Sequence, residues 1–237
     1  MDETEWLRSA DARQLLDYIF PQTGFDSTPD QPRKLRLYLA ALCRVEWGKL
    51  PPICQGTTLF AERIADGEIL ESASRATAYD IAEHMTRAHR KEEIITACCD
   101  RLRALGVEVP PDPKRRYSAK EWLGLTWMAL MPLSPERPQY QLILAAYHRA
   151  DLVRCVFGNP FQPPPRYDAR LQTDDIHRLA TTIYRDRQFA WLPVLADMLE
   201  EAGCDDAPLL HHCREEHAPH ARGCWALDAI LRGALQA

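Results

Sequence analysis

Apolar positions along this chain recur at intervals of three and four residues, the spacing that puts them on one face of a helix. In Ser9–Phe20 the stripe is Leu15, Leu16, Ile19 and Phe20, with Ser9 as N-cap. In Arg33–Trp47 it is Leu35, Leu39, Leu42 and Val45, with basic residues opposite. Residues 74–106 read as one long helix or two, stopped by Gly106. Beyond them, residues 118–130, with Ser118 as cap, and residues 139–157 read as two apolar helices. Four closely spaced helices follow, over residues 173–187, 190–203, 205–216 and 220–235, with Thr173 and Asp205 as N-caps and Gly203 as a stop. No run alternates polar and β-branched residues as a half-buried strand does. The expected fold is all-α, with about ten helices in an irregular bundle or array of two packed groups.

Two stretches interrupt the helical pattern. The prolines within 107–117 mark a linker between an N-terminal group (1–106) and a C-terminal group (118–237) that are expected to pack into one body. The linker's Lys114, Arg115 and Arg116 suggest a phosphate contact, but no glycine-rich cradle or aromatic platform accompanies them, so a solvated linker is the expectation. The second interruption is Phe157–Tyr167, FGNPFQPPPRY. Gly158 suits a helix end, Pro160 pushes Asn159 toward an extended conformation, and Pro163–Pro165 continue as a polyproline rod. Such a stiff segment can present Phe161, Arg166 and Tyr167 to a partner at low entropic cost. The plainer reading is a rigid crossing in which Phe157 and Phe161 seal the helical groups.

Length and composition narrow the classes. A chain of 237 residues with 46% hydrophobic content can bury a core unaided, and its net charge of −5 offers no general attraction to nucleic acid or anionic membrane. The acidic start MDETEW is unlike a secretory signal, and no apolar run approaches the roughly 20 residues of a membrane span. A cytoplasmic protein is therefore expected, with most of its eight cysteines reduced and packed as small core residues, Cys43, Cys98 and Cys155 among them.

Chemistry concentrates in HHCREEHAPHARGCW, residues 211–225. Cys213-x3-His217 and His220-x3-Cys224 form a mirrored pattern on either side of Ala218 and Pro219. Each pair could share a helical face in a tetrahedral Cys2His2 zinc site. Cys204 lies about 13 Å from Cys213 along a helix, at about 1.5 Å rise per residue, and is excluded. The preferred reading of the same stretch is a helix corner. In it Pro219 sits in a first turn, Cys213 and Cys224 pack as apolar contacts, and Trp225 plugs the core. Arg214 and Arg222 bond exposed carbonyls or the acids of Cys204–Asp206.

Other templates are missing from the chain. It has no Glu-x-x-His pair, no His-Glu-x-x-His, no nucleophile elbow and no phosphate loop, and only 10 glycines. Cys213 or Cys224 paired with a nearby histidine as a nucleophile is disfavoured, because such dyads come from separate elements. Cys98 and Cys99 read as packing residues, and His84 and His89 as surface residues.

The wording of the second half, ADLVRCVFGNPFQP, LPVLADMLEEAGCDD, LLHHCR and HARGCWALDAIL, resembles an uncharacterised family of bacterial proteins of planctomycete type, companions of repeat-containing proteins. TEWL and RKLRLYLAALCR resemble the N-terminal region of the same proteins. The likeness covers most of the chain except residues 50–115 and implies no activity. The family's HCR…H…RGCW pattern corresponds to Cys213, His220, Arg222, Gly223, Cys224 and Trp225, with His217 an addition in this chain. The leading functional expectation is a non-enzymatic interaction or regulatory protein, without cofactor, that binds another protein. The alternative is a small zinc-binding or thiol-dependent protein that uses the Cys213–His220–Cys224 corner.

Overall fold

The computed structural model describes residues 1–23, 30–50, 52–69, 99–100, 102–109, 149–163, 171–215 and 218–233. Nine α-helices with defined bounds, further helical residues at 99–100 and 102–104, and no strand lie within the described residues, so the chain is all-α. The chain divides into one unit of Met1–Ile19 with Arg149–Ala237 and a second of Phe20–His148.

This division differs from the one the prolines suggest, because the N-terminal segment is bound to residues far along the chain. Arg154 donates to the carbonyls of Trp6 and Ser9, at 3.0 Å each, and Asn159 and Gln162 donate to the Glu3 carboxylate at 2.7 and 3.2 Å. The Tyr18 ring stacks on Phe161 at 5.2 Å. Of the expected linker, Val107 and Val109 are buried, and residues 110–117 lie outside the described residues. So do Cys98, His84, His89, Arg166, Tyr167 and His217.

The first unit opens with α1 (Glu3–Arg8), which a reciprocal cap starts. The Asp2 carboxylate accepts from the Glu5 amide at 2.8 Å, and the Glu5 carboxylate accepts from the Asp2 amide at 2.9 Å. Helix α2 (Ala12–Thr23) follows and buries Ala12, Leu15, Leu16 and Ile19. Its first amides, those of Arg13 and Gln14, donate to Asp11 rather than to Ser9, whose hydroxyl accepts from the Asp11 amide one step earlier.

Helix α5 (Ala150–Phe157) buries Leu152, Val153, Cys155 and Val156, and Gly158 ends it at a φ of 74°, where a side chain is strained. Helix α6 (Asp174–Asp186) starts at Thr173, whose hydroxyl accepts from the Ile176 amide, and buries Ile176, Ala180, Ile183 and Tyr184. A 3-10 turn (Phe189–Trp191) leads into α7 (Leu192–Glu201). Helix α8 (Ala207–Arg214) is capped by Asp206, not Asp205: the Asp206 side chain accepts from the Leu209 amide at 3.0 Å. Helix α9 (Trp225–Gly233) closes the unit. Its start is the main departure from the expected helix over 220–235, since His220–Cys224 is not helical and Pro219 stands outside any first turn. Helix α7 packs on α8, and α6 packs on both α7 and α9. Their buried leucines and isoleucines form one core with Cys204, Cys213 and Cys224.

In the second unit α3 (Gln31–Val45) and α4 (Pro52–Ala65) pack together, joined by the 3-10 turn Trp47–Lys49. Helix α3 buries Leu35, Leu37, Tyr38, Leu39 and Leu42, whereas Val45 at its end is exposed. Burying charge between apolar helices requires a partner. Glu62 on α4 accepts two hydrogen bonds from Arg44, at 3.1 and 2.8 Å, and the Arg44 guanidinium lies 3.7 Å from the centre of the Trp47 ring.

Candidate metal centre

Four side chains meet in the first unit: Cys155 from α5, His212 from α8, His220 from the loop between α8 and α9, and Cys224 from the residue just before α9. Their ligand atoms all lie within 4.8 Å of one another. The His212 Nε2 is 3.2 Å from the Cys224 Sγ, and the His220 Nδ1 is 4.0 Å from the Cys155 Sγ. The two imidazoles stand edge to face, 5.0 Å apart at 87°. A tetrahedral zinc with Zn–S near 2.3 Å and Zn–N near 2.0 Å has ligand–ligand edges of about 3.3–3.8 Å. The donor set and its spacing fit such an ion after a contraction of about 1 Å at the widest edge.

Local structure explains why these four meet. A helix turns 100° per residue, so on α8 the buried Leu209, Leu210 and Cys213 face the core, while the half-buried His212, one step before Cys213, faces α9. On α5, Cys155 shares the buried face with Leu152 and Val156. The Asp228 amide donates to the Cys224 carbonyl at 2.9 Å, which places Cys224 at the N-terminus of α9, where the helix dipole favours a thiolate. Trp225 packs beside His212 with ring centres 5.1 Å apart, and Phe189 lies 6.2 Å from His220.

The two cysteines are electrostatically unequal. Burial alone raises the Cys224 thiol, but hydrogen bonds from Cys155, His212 and His220 and the charge of His212 together hold it well below its ordinary range. Cys155 moves the opposite way, because its thiol donates to Cys224 and is itself fully buried. Burial lowers His212, yet the adjacent Cys224 thiolate outweighs burial and raises it. Negative charge is thus favoured on Cys224 beside the His212 imidazole, an arrangement in which a divalent cation would replace the protons.

Of the four ligands expected from sequence, His220 and Cys224 are in this group and His217 lies outside the described residues. Cys213 is elsewhere, buried in the core, where desolvation pushes its thiol up. Cys155 and His212 take the two remaining places. His220 and Cys224 meet through a loop rather than along a shared helical face.

Around the centre, the corner residues have separate tasks. The Arg222 Nε donates to the Tyr184 carbonyl at 3.4 Å, and its guanidinium sits 5.2 Å from the centre of the Tyr184 ring. Arg214 bonds Asp197 and Glu200 of α7, at 2.7 and 2.6 Å, in place of the acids at 205 and 206. Phe161 is half-buried against Tyr18. No helix among the described residues is long and apolar enough to cross a membrane. No protein-family model matches the chain, and neither the curated proteins nor the solved structures contain a match to it.

Proposed function

We propose that the first unit is a zinc-stapled helical module of a non-enzymatic interaction or regulatory protein. One observation carries this reading: two cysteines and two histidines from three separate parts of the chain converge with their ligand atoms within 4.8 Å. The mixed sulfur and nitrogen donor set favours zinc over the hard cations, which take oxygen ligands. Four protein ligands fill a tetrahedron and leave no position for substrate or water, which argues for a structural ion. Reduced, metal-binding thiols suit a cytoplasmic location. For a protein partner, Trp191 and Val194 at the start of α7 expose apolar surface, whereas the Phe161 ring already stacks on Tyr18. Arg166 and Tyr167 keep their expected role only if their joint replacement by alanine weakens partner capture and leaves the melting temperature unchanged.

Elemental analysis of protein purified under reducing conditions tests the metal. The expected result is one zinc per chain, lost in Cys155→Ser and in His212→Ala and kept in Cys213→Ser. Metal-free protein that gains no visible bands of tetrahedral cobalt on titration with that ion would overturn the reading.

A further inference from the structure

We infer that this centre is a redox-controlled zinc site, in which a hydroperoxide joins Cys155 to Cys224 and expels the metal. The inference rests on the zinc reading above and concerns its regulation. The two ligand sulfurs lie no more than 4.8 Å apart, and they are carried by different helices, α5 and the N-terminus of α9, which approach each other where α5 ends. In the zinc tetrahedron the sulfurs stand about 3.8 Å apart, and a disulfide needs about 2.05 Å, so the bond requires an approach of roughly 2 Å. That approach lies along the line from α5 to α9, and it leaves His212 and His220 on α8 and the following loop.

The chemistry balances without another cofactor. Each zinc-bound thiolate gives up one electron, the S–S bond forms, the O–O bond of hydrogen peroxide breaks, and two protons from solvent complete two waters. Zinc takes no part in the electron transfer and leaves as the divalent ion, since two half-buried imidazoles are half the ligand set it requires. Cys213 and Cys204 are buried in the same core as Cys155 and Cys224 but lie outside the converging group. Oxidation therefore exchanges one tie between α5 and α9 for another while it frees α8 from both.

The experiment uses the full chain, reduced and loaded with zinc, exposed to hydrogen peroxide. A chromogenic chelator reads zinc release, thiol titration reads oxidation, and peptide mapping locates the bond. The expected result is one zinc released for two thiols lost, a Cys155–Cys224 link, and full recovery on adding dithiothreitol and zinc. Cys155→Ser can fail to fold, so Cys213→Ser and Cys204→Ser serve as the informative variants, and both should release zinc at the parent rate. Zinc retained while thiols elsewhere oxidise would overturn the switch and leave the zinc reading intact. A link through Cys213 or Cys204, or irreversible release, would also overturn it. Reduced protein that binds no zinc would remove the zinc reading and the switch together.

Discussion

Among the buried cysteines of each unit, Cys155 and Cys224 in the first and Cys43 and Cys54 in the second stand in different surroundings. Cys43 on α3 and Cys54 on α4 are as buried as Cys155 and Cys224. Around Cys43 stand Thr58, Cys54 and the Arg44–Glu62 pair, and burial dominates: desolvation pushes its thiol up to about 12 against a smaller pull from the Thr58 hydrogen bond. Around Cys224 stand two imidazoles, a thiol and a helix N-terminus, and together they reverse the effect of burial. Exposure is nearly equal in the two places, so it does not decide what a cysteine does. The neighbours that meet the sulfur decide it.

Metal removal should separate the units most sharply. Zinc at a thousandfold excess over its Kd adds about 4 kcal/mol to stability, and a chelator should lower the melting temperature by about 10 °C in calorimetry. Hydrogen exchange should then quicken in α5, α8 and the start of α9 and stay unchanged in α3 and α4. An equal response in both pairs of helices would erase the contrast.

The second unit has its own vulnerable polar contact. Glu62 is 2% exposed and its partner Arg44 22% exposed, so Glu62→Ala leaves a charge without its partner in a largely buried place. The expected cost is about 3 kcal/mol in urea unfolding, with zinc content unchanged. Zinc loss in this variant would show that the two regions are not independent.

A smaller effect tests the division of labour on α8. Cys213→Ser should cost about 1–2 kcal/mol, because a hydroxyl enters an apolar core, and zinc should remain stoichiometric. His217→Ala should likewise keep its zinc, since the four converging side chains would supply all four ligands of a tetrahedral ion without it.

The smallest effect concerns pH. A thiol whose folded pKa is raised stabilises the fold fully below the unfolded value and less as pH climbs toward the folded one. For Cys43 that window opens near 9.0 and closes near 12. Between pH 9 and pH 10 the parent should lose about 1 kcal/mol that Cys43→Ala does not lose, measured as the difference between their denaturation midpoints. Parallel curves for the two proteins would mean that Cys43 ionises freely in the folded state.

The fold class was legible because helical periodicity is a local property, and the buried faces of α2, α6 and α7 follow it residue by residue. Helix α1 carries a signal that is local in the sequence, the Asp2-x-x-Glu5 capping box. In α4, Gly56, Thr57 and Thr58 dilute the pattern, and only the opening proline hinted at a helix start. Half of the converging group was legible, since His220 and Cys224 are close in sequence. The other half was not. Cys155 sits far along the chain in an apolar pattern identical to that of a packing residue, and choosing His212 over Cys213 depends on a helix rotation of 100° that the packing of α8 against α7 and α9 sets.

The close approach at the end of α5 has one more consequence. A Cβ on Gly158 would stand 3.3 Å from the Trp225 ring, at a backbone angle that disfavours any side chain, and Trp225 directly follows Cys224 of the converging group. Gly158 lies three residues after Cys155. The residue pairs Cys155–Gly158 and Cys224–Trp225 are thus one physical unit spread over two distant words of the sequence, CVFG and RGCW. Among descendants of this gene they should be inherited or lost together. A lineage that drops the cysteines should be released to change the glycine and the tryptophan as well.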